Sequence, residues 1–307
     1  MSSRYDLNVQ CFAKRKAENI FTEKNDPRLL YVSRVRPNHN AHPRILHSHK
    51  DHIEVLLICD GQSDFLIHNR KYPLKSGDMV IYNSEIVHDD LTGPDTEISY
   101  YCVAIGELHL PDLRENALVR DDAGFVFPTG RHYEAMKMLC EMMFESLSRE
   151  ETGAETFCRS LMQALLIKAL TVIDENQGRL EERMEDEDIL GIRIKGYIDE
   201  HYMEPLNLQI IGDGLNVSPY YVSHVFKKMS GYSPIQYLLR RRLGEAQTLL
   251  ISTDRSISEI AGMVGFETQN YFNAQFTKHV GIPPKKYREN YVVRTHTVGK
   301  RRECLNR

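Results

Sequence analysis

His47 and His49 flank a single serine, Glu54 follows five positions later, and His88 lies further on, so three imidazoles and one carboxylate are available to one site. Such donors hold zinc, iron or manganese when they converge, and otherwise hydrogen-bond one another or a small polar ligand. In an extended segment side chains alternate, so His47 and His49 share a face, while Glu54 needs an intervening bulge or loop to join them. We read His47, His49, Glu54 and His88 as an effector pocket at the mouth of a sheet domain. No cofactor is required on that reading; a divalent metal on the same four residues is the alternative. Asp51 and His52 are expected on the loop surface. Arg34, Arg36, Tyr82 and Tyr100 are further candidates for the pocket, because alternation alone does not say which face is inside.

A second set of residues carries different chemistry. Pro219, Tyr220, Ser223, His224 and Lys227 fall on the polar side of one helical segment, and Gln269, Asn270, Asn273, Ala274, Thr277 and Lys278 on that of another. Gln and Asn can each make two hydrogen bonds to an adenine edge, at about 1–3 kcal/mol of discrimination per good pair. Lys227, Lys228, Lys278, Lys285 and Arg288 are assigned to phosphates, which fix register without reading sequence. No nucleophile and base stand together elsewhere, so we expect no enzyme.

The elements that must position this second set form a repeat. The unit LNLQIIGDGLNVSPYYVSHVFKKMSGYSPIQYL returns about fifty residues later as SISEIAGMVGFETQNYFNAQFTKHVGIPPKKYR. Each copy reads as helix, turn and second helix. Asn207, Ser218 and Ser256 are the expected caps, with Glu259 completing a capping box and Pro219 at a first helical position. Val222, Val225, Phe226 and Met229 make one buried stripe; Tyr271, Phe272 and Phe276 make the other.

Residues 194–289 resemble the DNA-binding domain of AraC-type transcription regulators, two helix-turn-helix subdomains on a connecting helix. The match rests on Phe226-Lys227-Lys228, Gly231, Tyr237, the run Arg240 to Ala246, Ile260-Ala261, Gly265-Phe266, Phe276, Gly281, Pro284 and Tyr287-Arg288. The resemblance implies recognition helices that enter major grooves of double-stranded DNA. Gly212 departs from the family's usual alanine and, with Gly214, is expected to soften the first subdomain by about 1 kcal/mol each. His224 and Ala274 stand where the family often has arginine. Of Arg240, Arg241 and Arg242, which point in three directions, one is expected on phosphate and Arg241 is expected to pair with Glu245.

The histidine spacing, HxHx4Ex6G ending at Gly61 and Gly77 separated by ten residues from His88, resembles the two cupin motifs. Asn83 and Glu85 depart from it where Pro and Gly are usual. Around these residues short strands alternate with turns: LLYVSRV, IEVLLI, DFLIH, MVIYN and EISYYCVAI, separated by DGQS, HNRK, KSGD and LTGPDT. A small antiparallel barrel or sandwich fits.

The chain as a whole sets limits. Its 307 residues, 41% hydrophobic and 27% charged, suit more than one globular domain. Residues 1–189 carry 22 Lys and Arg against 33 Asp and Glu, whereas the remainder carries 17 against 10. The basic part holds the repeat, as phosphate binding favours. Six scattered cysteines, with no CxxC pair, suggest neither a disulfide framework nor a zinc knuckle and read most simply as buried thiols. The opening MSSRYDLNVQ lacks an apolar core, and the longest apolar runs are short of a membrane span, so a cytoplasmic protein without a membrane partner is expected.

The expected organisation is α+β and multidomain: an arm at 1–28, a cupin-like sensor barrel at 29–130, a helical dimerisation region at 131–177, an acidic linker at 178–189, an all-α AraC-type domain at 190–290 and a basic tail at 291–307. In the helical region Tyr133, Met136, Leu139, Met143 and Leu147 form one stripe, and Phe157, Leu161, Leu165, Ala169, Val172 and Ile173 another. The function expected is sequence-specific transcription regulation by a homodimer under a small-molecule effector. A metal-dependent cupin enzyme with a DNA-binding tether, or a regulator without ligand, are the alternatives.

Overall fold

The computed structural model describes residues 20–21, 26–36, 45–67, 70–90, 97–121, 123–176 and 186–289. Most of the expected arm, the tail 291–307, Cys11, Cys304 and all but the end of the acidic linker lie outside the described residues. Of the arm, Phe21 is buried in the first core, and Arg159 forms an ion pair with Asp26.

Among the described residues eight strands precede the helices: β1 (Arg28–Val35), β2 (His52–Asp60), β3 (Gln62–Ile67), β4 (Arg70–Lys75), β5 (Asp78–Tyr82), β6 (His88–Asp90), β7 (Ser99–Gly106) and β8 (Val126–Pro128). They form a five-stranded sheet, β1-β7-β2-β5-β8, and a three-stranded sheet, β4-β3-β6, rather than one closed ladder. The two sheets share a core, with Phe65 of β3 edge-on to Tyr100 of β7 at 5.9 Å. Strand β2 is buried along most of its length, between β7 and β5, and sets Glu54 opposite Tyr82 and Ala104. Strands β4, β6 and β8 had no sequence counterpart. β4 contains Pro73, which its place at a sheet edge tolerates.

Helices α1 (Tyr133–Ser148) and α2 (Ala154–Glu175) pack on each other and on the five-stranded sheet. The buried stripe of α2 runs through Cys158, Met162, Leu165, Leu166, Ala169 and Val172, so Phe157 faces outward instead of inward. By length and composition α2 is apolar enough to cross a membrane, although no continuous apolar run in its sequence is that long; one side of it is committed to this packing.

The C-terminal domain comprises α3 (Asp186–His201), α4 (Leu208–Leu215), α5 (Pro219–Ser230), α6 (Pro234–Ser252), α7 (Ile257–Met263), α8 (Gln269–Val280) and a last helical turn at 284–289. The final residues of the acidic run are therefore the start of α3. Fully buried Phe226, Tyr237, Phe272, Phe276 and Tyr287 fill the domain's core, each worth about 1.5–3 kcal/mol on burial. That core is not confined to the domain. Ile45, Leu46, Leu66 and Val87 of the sheet domain belong to it, so sheets and helices are seated on each other.

Candidate nucleic-acid interface and histidine cluster

The caps fix where both helices of each unit begin. Asn207 accepts the Ile210 N–H at 2.9 Å, Ser218 accepts that of Tyr221 at 3.3 Å with Pro219 following, and Thr268 accepts that of Tyr271 at 3.3 Å. Ser256 and Glu259 form the expected capping box on α7. Asn216 (φ 57°) and Gly265 (φ 88°) take the left-handed conformation that ends α4 and α7 and turns the chain into α5 and α8.

The stripe on α5 buries Val222, Val225 and Phe226, with Met229 half-buried against Gly191. Its opposite side exposes Tyr220, 81% accessible, and His224, their rings parallel within 9° at 6.3 Å. With Ser223, Lys227 and Lys228 they line a groove of about 400 Å³. On α8, Gln269, Asn273, Ala274, Thr277 and Lys278 line a second groove of about 700 Å³ together with Ile257, Pro283, Pro284 and Lys285. Asn270 is exposed beside it. The Asn273 Oδ1 is buried without a hydrogen-bond partner among the described residues.

Tyr271 is a correction: it is 55% exposed, because adjacent helical positions differ by about 100° and Phe272 takes the inward one. It lies over Phe266 at 5.8 Å. Arg288 also differs from expectation, donating to the backbone carbonyls of Leu250 and Arg255 and so tying the last helical turn to the end of α6. The two glycines are not simply weak helix formers. A Cβ at Gly212 would lie 2.5 Å from the Val217 carbonyl oxygen, and one at Gly214 2.6 Å from the Tyr197 ring.

All three arginines of α6 have internal partners. Arg241 donates to Glu245 at 3.1 Å and lies 3.6 Å from Asp199 and 4.8 Å above the Tyr202 ring. Arg242 donates to the carbonyls of Tyr202 and Glu204, each at 2.6 Å. Arg240 reaches across the domain boundary to Asp89, with Nε–Oδ2 at 2.9 Å. Carboxylates of Asp89, Asp199 and Glu245 and the carbonyls of Tyr202 and Glu204 engage the three guanidinium groups, an arrangement that does not favour the phosphate contact expected of one of them. Burial pushes the Asp89 carboxyl up, more than Arg240 pulls it down; on Arg240 the same attraction outweighs burial. Arginine stays charged throughout the accessible range, so the protonation of the pair is set at Asp89.

The four donors at the other end converge. One ligand atom from each of His47, His49, Glu54 and His88 lies within 4.8 Å of the others. His47 is not in a strand but forms an isolated bridge to His88, with backbone bonds of 3.0 and 2.9 Å. The Glu54 carboxylate lies 3.3 Å from His49 Nε2 and 3.4 Å from His88 Nε2, and also accepts from Tyr31. Burial opposes its ionisation, but the His49 and His88 imidazoles outweigh that and hold the carboxyl well below the usual range. The four side chains are buried rather than spread around an open mouth. Tyr82 joins them, stacked on His88 at 3.8 Å, whereas Arg34 lies over the Phe144 ring and Arg36 is exposed.

His52 corrects its loop assignment: it starts β2, is buried, and stands 4.1 Å from the His49 ring with Nδ1 2.8 Å from exposed Asp51. At the divergent half of the motif, Glu85 has φ 65°, the conformation glycine usually supplies, and Asn83 bonds the backbone of Leu118 and Val119.

These features agree with known proteins. A family described as AraC-like ligand binding domain matches residues 29–169, and one described as helix-turn-helix domain matches residues 211–290. The chain belongs to the AraC-type transcription regulators. It is a DNA-binding regulator with a ligand-binding domain of AraC-like type. The uncharacterized HTH-type transcriptional regulator YdiP of Escherichia coli K12 is 27% identical over 80% of this chain and 81% of its own length. The C-terminal domain of AraT, a response regulator of Geobacillus stearothermophilus, is 37% identical over 36% of this chain and 88% of its own, with TM-score 0.33. The DNA-binding domain of AdpA, solved with a target DNA, is 27% identical over 34% of this chain and 94% of its own, with TM-score 0.33.

Proposed function

We propose that this AraC-type regulator places α5 and α8 in successive major grooves and that an effector in the sheet domain controls how it does so. The observation that carries the reading is the seating of α6: one helix links both recognition units and also rests on the segments beside His47 and His88. Pro219, Tyr220, Ser223, His224 and Lys227 on α5, with Gln269, Asn270, Asn273, Thr277 and Lys278 on α8, are the DNA-contacting set. We divide the chain at 29–130, 131–177 and 190–290 for sensing, dimerisation and DNA binding. The protein acts as a regulator rather than an enzyme, in the cytoplasm where operator DNA is accessible.

A homodimer is part of the proposal. Met138, Met142, Phe157 and Ile167 leave α1 and α2 with exposed apolar side chains, a composition suited to pairing between copies. An electrophoretic shift assay with duplexes selected from a random library tests the main reading. Salt-sensitive, sequence-selective binding is expected; its failure overturns the reading. Sedimentation of the free chain tests the dimer.

A further inference from the structure

Pairing across the three-stranded sheet sorts its side chains. Leu66 of β3 stands opposite Lys71 of β4 and Asp89 of β6, and directly paired residues of antiparallel strands point to one face. Phe65 and Ile67 enter the core of the sheet domain, whereas Leu66 enters that of the C-terminal domain. Lys71, Leu66 and Asp89 therefore form a row turned toward the helices. Asp89 receives Arg240 of α6. Lys71 reaches the turn between α5 and α6: a Cβ at Gly231 would lie 3.3 Å from its Cε and 3.9 Å from its Nζ. Strand β4 is an edge of that sheet and lies against α5.

Gly231 follows Lys227 by four residues, about 6 Å along a helix axis. The Lys71 ammonium thus stands beside the end of the groove lined by Tyr220, His224, Lys227 and Lys228. Asp64, 3.7 Å from that ammonium, lies two positions before Leu66 and shares its face, and the Lys71 and Asp64 side chains are 48% and 55% exposed. An ion pair so long and so exposed holds a lysine weakly and yields it to a stronger anion. The repeat indicates which anion. After α8 the chain reads GIPPKK, and Lys285 lines the second groove; after α5 it reads GYSPIQ, with exposed Ile235 at the position equivalent to Lys285. The first unit has no cation of its own in that turn, and the sheet domain brings one to it.

We propose that Lys71 contacts a phosphate of operator DNA, so that the edge strand of the ligand-binding domain is part of the DNA interface and completes the first unit as Lys285 completes the second. This rests on the regulatory reading above and extends its interface beyond the helical domain. One strand of a duplex crossing the end of α5 meets Lys227, Lys228 and Lys71 in turn. Such a contact fixes register and carries no sequence information. Each phosphate neutralised releases counterions and adds about 0.9 to the slope of log affinity against log salt.

The test uses the full chain and a duplex selected from a random library, titrated between about 50 and 200 mM salt. K71A should lower the slope by about 0.9, so that this rise in salt weakens the wild type about threefold more than the variant. K71R should keep the wild-type slope, and preference among single-substituted duplexes should be the same in all three. D64N removes the competing carboxylate and should raise affinity. Ethylation of phosphates should reveal a position flanking the groove bound by α5 at which modification weakens the wild type but not K71A. Hydrogen exchange across residues 62–75 and 219–236 shows whether K71A keeps its fold and seat; if it does not, K71Q takes its place. An unchanged slope with an unchanged ethylation pattern overturns the proposal. So does a D64N chain that binds as weakly as K71A, which makes the ion pair structural. Absence of selective binding by the wild type overturns the regulatory reading, and this contact with it.

Discussion

Gln247 accepts the backbone N–H of Ile45 at 2.8 Å, although 202 residues separate them in sequence. Gln247 is fully buried, so its oxygen satisfies a donor that water does not reach. Replacing it with Ala leaves that N–H unpaired, a cost of about 1–3 kcal/mol. The loss falls on the junction rather than on either core. Q247A should therefore separate unfolding into two transitions, read by hydrogen exchange followed separately in the peptides of the sheet domain and of the C-terminal domain.

Gly244 gives a test in which two effects have opposite signs. Alanine at an exposed helix interior gains about 1 kcal/mol over glycine. Here the added Cβ meets the Leu46 carbonyl at 2.0 Å, and backbone cannot move aside as a side chain does. G244A should stabilise an excised C-terminal domain, if that folds, yet destabilise the intact chain. Denaturant midpoints of the two forms check the contrast.

On the DNA face, Asn273 and Lys227 should behave differently. N273A is expected to relax preference at one base pair, with about 1–3 kcal/mol of discrimination lost. K227A should weaken all duplexes alike and reduce the slope of log affinity against log salt by about one. Competition binding with a panel of single-substituted duplexes separates the two outcomes.

The capping box of α7 supplies a pH test. Hydrogen bonds with Ser256 hold the Glu259 carboxyl below its ordinary value of 4.5. A depressed folded-state value contributes stability above the unfolded-state value and loses it as pH falls through the folded one. Acid below about pH 4.5 should thus loosen α7, and E259Q should flatten that part of the stability profile. S256A should cost about 1 kcal/mol at neutral pH, measured by thermal melting.

What the sequence made legible was local. Ser218-Pro219, Asn207 and the Ser256–Glu259 pair announce helix starts because a cap depends on residues three apart. The apolar stripes of α5 and α8 followed from helical period, except where Tyr271 and Phe272 competed for one inward position. Strands β4, β6 and β8 escaped because three to six residues, one strand with an internal proline, give no clear alternation. The partners of Arg240 escaped for another reason. Spacing along α6 offers Glu245 to Arg241, but nothing in it points to Asp89, 151 residues away. Likewise the four donors were legible as a set, whereas their burial and the approach of His47 and His88 to the Ile45 and Ile86 carbonyls depend on how the chain returns on itself.

Because α6 carries both recognition units and one unit's Gly231 approaches Lys71 of β4, a tilt of the seat swings the two units as parts of a single lever. Operator elements bound by such a lever must stay in phase on one side of the duplex. An insertion of about half a helical turn between them, near five base pairs, should sever the second unit from its groove, while a full turn restores the side but stretches the reach.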